Sequence, residues 1–113
     1  MPDIVETAIS KNPPLQKIYD SLVTELKKLG SVQIEPKKTS VHVMAKSALA
    51  GIHPRKEYLV IQIVSDKPIA NKRIFKVEQV SKNRFHNHLR ISGREDINGE
   101  LKGWLKRAYK IMS

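Results

Sequence analysis

The sequence predicts an α+β fold: an antiparallel sheet of about five strands with an N-terminal and a C-terminal helix packed on one face, in the order α-β-β-β-β-β-α. Three observations predict it. Apolar residues recur at helical spacing only near the two ends of the chain, over 15–29 and 97–112. Between them lie five strand-sized segments that alternate or run apolar. The links between these segments are too short for helical crossovers, so neighbouring strands should pair antiparallel.

Residues 1–12 carry little pattern and are expected to form a flexible tail, followed by a single α+β domain over 13–113. Pro14 suits the first turn of a helix, where its missing N–H is no loss. Leu15, Ile18, Tyr19, Leu22, Val23, Leu26 and Leu29 then form one apolar stripe that Gly30 ends. The first strand runs from Ser31 to Glu35 with Val32 and Ile34 inward, and Pro36 closes it. The second, Ser40 to Lys46, alternates Val41, Val43 and Ala45 against His42, Met44 and Lys46. Tyr58 to Val64 is apolar on both faces apart from Gln62, the pattern of a central strand. Ile74 to Val80 places Phe75 and Val77 together on the core face, with Lys76 and Glu78 outward. In the fifth strand, Arg84 to Ser92, Phe85, Asn87, Leu89 and Ile91 face the core, and His86, His88 and Arg90 face away. Ser92 and Glu95 have capping-box spacing, and the closing helix should start there. Its stripe is Ile97, Leu101, Trp104, Leu105, Ala108 and Met112. Gly99 and Gly103 weaken it by about 0.8–1 kcal/mol each relative to Ala, and would allow a close backbone approach.

A chain of 113 residues can bury about two thirds of its unfolded surface in one core. With 40% apolar and 28% charged residues the composition is that of a globular protein. The chain has no cysteine, which excludes disulfides, thiolate metal sites and cysteine nucleophiles. No apolar run reaches membrane-spanning length, and Met1 to Glu6 lack the basic start and apolar core of a secretion signal. A cytoplasmic location without membrane association is the expectation.

The net charge of +10 is unevenly placed. Residues 37–94 hold 13 Lys and Arg against three acids, so the whole excess lies in the middle of the chain. Charge concentrated in this way suits an anionic partner, DNA or RNA first; the plainer account is a well-solvated basic surface. The uncovered sheet face should carry His42, Lys46, Lys76, His86, His88 and Arg90. Between the second and third strands, Gly51-Ile52-His53-Pro54-Arg55-Lys56 reads as a turn that gathers donors at the sheet edge, a candidate phosphate or carboxylate site. His53, Arg55 and Lys56 would rim the face.

Other chemistries find less in the chain. His86 and His88 lie roughly 6.5–7 Å apart along one side of a strand. Together with His42 they have the residue types of a three-histidine metal site. Arg84 and Arg90 beside them would repel a cation, and no metal ligand is assigned. Serines are scattered without a Gly-x-Ser-x-Gly elbow, the few acids of the middle segment do not cluster, and neither common phosphate-binding glycine loop is present. No catalytic residue is assigned and no cofactor is expected. Aromatic residues make up 5% of the chain, and with Phe75, Phe85 and Trp104 on core faces a stacking platform is poorly supplied.

Four motifs carry a resemblance: Leu15-x-x-Ile18-Tyr19, Gly51-Ile52-His53-Pro54-Arg55-Lys56-x-Tyr58-Leu59, Arg84-Phe85-x-x-His88 and Leu101-x-x-Trp104-Leu105-x-x-Ala108-Tyr109. From Pro14 to Met112 the chain resembles a prokaryotic domain family of unknown function. Members of that family occur as small standalone proteins. Similar domains also occur at the C-terminus of longer chains, some labelled predicted transport proteins and some with a restriction-nuclease-like first half. The resemblance implies an accessory module and supplies no catalytic residues; the transport label finds no membrane-spanning segment here. The expected function is therefore binding of an anionic partner. Two alternatives are a small-molecule or metal-dependent enzyme built on the histidines, and a protein-interaction module, as a homodimer or with a larger partner protein.

Overall fold

The sheet is antiparallel throughout and has six strands in the order β1-β2-β3-β4-β6-β5. The computed structural model describes residues 5–112. Its elements in chain order are α1 (Val5–Ser10), α2 (Pro13–Lys27), β1 (Gln33–Pro36), β2 (Val41–Met44), β3 (Ala48–Pro54), β4 (Leu59–Ser65), β5 (Ile74–Ser81), β6 (Arg84–Ile91), a short 3-10 turn (Arg94–Asp96) and α3 (Gly99–Met112). The α+β class and the two terminal helices follow the sequence reading, and the sheet gains one strand.

The helix α2 starts where the prolines place it. Asn12 is its N-cap and accepts the Leu15 N–H through Oδ1 at 3.4 Å. Leu15, Ile18, Tyr19, Leu22 and Leu26 are buried, as the stripe requires. Gly30 turns the chain at φ +145°, a conformation that favours glycine, and the Tyr109 hydroxyl packs on it while accepting the Ser31 N–H at 3.1 Å.

Before α2, the segment expected to be a loose tail holds α1; residues 1–4 of that segment lie outside the described residues. Six residues are too few for an apolar period to register. Val5 and Ile9, one helical turn apart, enter the core, and the Val5 N–H donates to Lys37 O at 2.8 Å.

The added strand is β3, read from the sequence in part as a turn. Gly51 and Pro54 are turn residues by propensity, yet Leu49, Ala50 and Ile52 are buried and pull the segment into the sheet. Strand β4 is central, as expected. Leu59, Ile61 and Ile63 are fully buried toward the helices, and Val60 and Val64 on the other face are nearly so. The β5–β6 hairpin folds back so that β6, not β5, lies beside β4. The chain between β4 and β5 must therefore cross the end of β6. One buried polar side chain holds that crossing: Asn87 accepts the Ile69 N–H at 3.0 Å and donates to Ile63 O at 3.0 Å and to Ser65 Oγ at 2.7 Å.

The closing helix starts at Gly99, seven residues after the expected cap. Asn98 caps it by accepting the Leu101 N–H at 3.1 Å, while the Ser92 N–H donates to Asp96 Oδ2 at 2.8 Å. Leu101, Leu105 and Ala108 are buried, and α3 packs on β3 and β4. Gly99 and Gly103 make no close approach, since a Cβ at either would meet nothing within 4 Å.

Two substitutions test this packing by urea unfolding. Gly103→Ala should raise stability by about 0.8–1 kcal/mol, because only the helix-propensity term changes; a lower midpoint would contradict the open surroundings. Asn87→Ala should lower it by about 1–3 kcal/mol through the unsatisfied groups left behind, and an unchanged midpoint would remove Asn87 from its anchoring role.

Candidate functional site

Both long helices cover one face of the sheet, so the outward residues of the inner strands form the other. Pairing in register aligns them in rows. One row crosses five strands: His42 opposite Gly51, Gly51 opposite Gln62, Gln62 opposite His88, and His88 opposite Lys76. At about 4.8 Å per strand the row is roughly 19 Å long. The row on one side of it holds His53, Val60 and Arg90, and the row on the other side holds Val64, His86 and Glu78. All four histidines of the chain thus share one surface.

Hydrogen bonds order this surface. Gln62 Nε2 donates to His86 Nδ1, which leaves the remaining proton of a neutral His86 ring on Nε2. His88 Nε2 donates to Glu78 Oε1 at 2.8 Å, and Lys76 Nζ lies 3.9 Å from the same oxygen. The hydrogen bond from His88, and then the Lys76 charge, hold the Glu78 carboxyl below its usual range. His53 is pushed below the usual imidazole range, first by burial, then by the charges of Arg55, His88 and His42, with a Gln62 hydrogen bond opposing. Burial also lowers His86, against the pull of Glu78. Both rings are half-buried, and their opposite neighbours in the ladder are Val60 and Val64.

At one end of the face the Arg90 guanidinium lies 4.6 Å from the Phe75 ring centroid and 5.5 Å from that of Tyr58. Phe75 in turn sits 6.1 Å from the His88 ring. Phe75 thus corrects the sequence reading. It does not join the core but is 48% exposed on the histidine face. The cause is an irregularity between Ile74 and Lys76 that breaks the alternation of β5.

The predicted residues divide as follows. His42, Lys76, His86, His88 and Arg90 come together, and His53 joins them from within β3 rather than from a turn. Arg55 and Lys56 form the exposed β3–β4 turn at the rim, closed by the Arg55 N–H donating to Tyr58 O at 2.8 Å. Lys46 does not join. It lies in the β2–β3 turn, where its N–H donates to the helix-end carbonyl of Met112 at 3.1 Å, and it lines a hollow with Tyr109 and Gln33. Sequence reasoning missed Gln62, Glu78, Tyr58 and Phe75. Gln62 had a signal, as the lone polar residue in an apolar strand. Glu78 had one too, since folding β5 back on β6 sets it opposite His86. Among the described residues no three His, Asp or Glu are arranged to hold a metal ion.

The two lowered histidines carry a pH prediction. Between their folded pKa values and the ordinary 6.5 the unfolded chain binds more protons, so their contribution to stability is complete above pH 6.5 and is lost as pH falls through the folded values. Unfolding free energy measured against pH should decline below 6.5 in the native chain, and less so in a His53→Gln/His86→Gln chain. Identical profiles would contradict the burial of these rings.

No helix among the described residues is long and apolar enough to cross a membrane. No curated protein and no solved structure matches the chain. Residues 5–112 match the model of a family described as a domain of unknown function, DUF5655. Since the match takes in all but the ends of the chain, this protein belongs to the DUF5655 family.

Proposed function

We propose that the uncovered sheet face binds nucleic acid, preferring single strands. The observation that carries this reading is the ladder Tyr58–Arg90–Phe75–His88 beside Lys76 on a face that no helix covers. An exposed ring and a guanidinium plane give unpaired bases a stacking surface, and Lys76, Arg90, Arg55 and Lys56 supply charge for phosphates. Neutral imidazoles at His53 and His86 can each donate one hydrogen bond, and gain charge as pH falls. The concentration of the net charge in residues 37–94 supports the same partner. A cytoplasmic accessory module, working alone or beside a nucleic-acid enzyme, fits this chemistry.

The second reading is a protein-interaction module, and a specific observation favours it. Phe75, Val77 and Val80, the exposed large hydrophobics among the described residues, all lie on β5, an edge strand exposed along nearly its whole length. A partner strand or a second copy would pair there. A concentration-dependent rise in mass at high salt would favour this reading.

Fluorescence anisotropy with labelled single-stranded DNA, single-stranded RNA and duplex DNA over a salt series tests the first reading. With four to six phosphates contacted, log affinity for a single strand should fall against log salt with a slope of about −3 to −4. Phe75→Ala should weaken binding by about 1–3 kcal/mol, and Arg90→Ala should weaken it and flatten the salt slope by about 0.7. Affinity for single strands should rise as pH drops below 6.5. No binding at low salt, or binding untouched by both substitutions, would refute the proposal.

A further inference from the structure

The crossing between β4 and β5 leaves space against the flank of α3. Because β6 occupies the position beside β4, residues 66–73 arch over the strand ends instead of turning tightly. The arch is pinned at its middle and at its far end. Asn87, fully buried, holds Ile69, and Asn71 donates to Glu100 Oε2 at 2.9 Å while accepting the Arg73 N–H at 2.9 Å. Arg73 completes the second anchor by donating to Asp96 O at 2.8 Å, with its guanidinium 5.8 Å from the Trp104 ring centroid. Between arch and helix lies a cleft of about 350 Å³, within the size range of small-molecule sites.

The lining of the cleft selects a ligand class. Pro68, Ile69, Trp104 and Ile111 offer apolar and aromatic surface, and Lys67 and Arg107 offer positive charge. Of the two acids in the wall, Glu100 is already held by Arg73 and Asn71, which leaves Asp66 alone against two cations. Arg107 has no ion-pair partner among the described residues. We propose that this cleft is a binding site for a small aromatic carboxylate, its ring against Trp104 and its carboxylate on the Arg107 guanidinium. The shape of a guanidinium suits a carboxylate better than a bare charge would. The cleft meets the histidine face only at Val64, shares none of its charged side chains, and does not depend on what that face binds.

Trp104 is the only tryptophan in the chain, so its emission reports on the cleft alone. The test is a titration of the whole chain with 3-phenylpropionate, which does not absorb where tryptophan is excited. Its amide, 3-phenylpropanamide, and acetate run in parallel. The expected result is a saturable change in emission with the aromatic acid and none with acetate. Binding of the amide should be weaker by roughly tenfold. Arg107→Ala, a change at an exposed position, should weaken the acid to the level of the amide, whereas His88→Ala/Arg90→Ala should leave it unchanged. No saturable change up to about 5 mM, equal binding of acid and amide, or an Arg107→Ala chain that binds as the native one does would each overturn the proposal.

Discussion

The burial of β4 against the helices is the contact on which the rest of the molecule depends. Leu59, Ile61 and Ile63 project from the middle of the sheet into the space filled by α2 and α3. Each such side chain contributes about 1.5–3 kcal/mol on removal from water, and together they fix which face of the sheet is inside. Once that face is chosen, period-two alternation sends Val60, Gln62 and Val64 to the other side. The neighbouring strands must bring His53, His88, His86 and Arg90 alongside them. The histidine surface is thus a consequence of core packing rather than an independent construction.

That surface is neither core nor simple solvent. Val60 and Val64 are almost fully shielded although both long helices lie on the other face; His53 and Arg90 stand opposite Val60 in the ladder, and His86 stands opposite Val64. The shielding works in both directions. It keeps apolar surface from water, and it withdraws water from His53 and His86, which lowers their affinity for protons. Glu78 sits among these rings and is engaged by His88 and Lys76, while a second acid, Glu35 on β1, stands opposite His42. The remaining positive charge of this face lies at Arg90, beside the exposed Phe75, and at the Arg55–Lys56 turn, with Lys76 exposed at 3.9 Å from Glu78.

A second constraint operates at the opposite end of the sheet. Insertion of β6 between β4 and β5 forces a long link, and a long link carries backbone groups that need partners. Asn87 meets that need from a position with no solvent exposure. It is the polar exception in the apolar face of β6. The arch it supports stands off α3 far enough to leave room beside Trp104.

Much of this was legible in the chain. Helical periodicity located the stripes of α2 and α3, because both helices bury one face and expose the other. Alternation placed Val41, Val43, Leu89 and Ile91 inside, and His42, His86, His88 and Arg90 outside. Legibility failed where local preference and tertiary gain disagree. Gly51 and Pro54 signal a turn, yet β3 forms because Leu49 and Ile52 gain more by burial. Ser92 and Glu95 have the spacing of a helix start, yet Asn98 takes the capping role.

What the sequence by itself determined is the fold class, the central place of β4 and the outward direction of His42, His86, His88 and Arg90, all properties of periodicity along the chain. Only the tertiary structure decided that His42 falls in one row with His88, that His53 joins them from within a strand, that Lys46 does not, and that Phe75 turns outward. Those outcomes depend on strand order, register and one irregularity in β5, which are set by pairing between segments distant in sequence. Periodicity is a local signal and carries no information about which strands become neighbours.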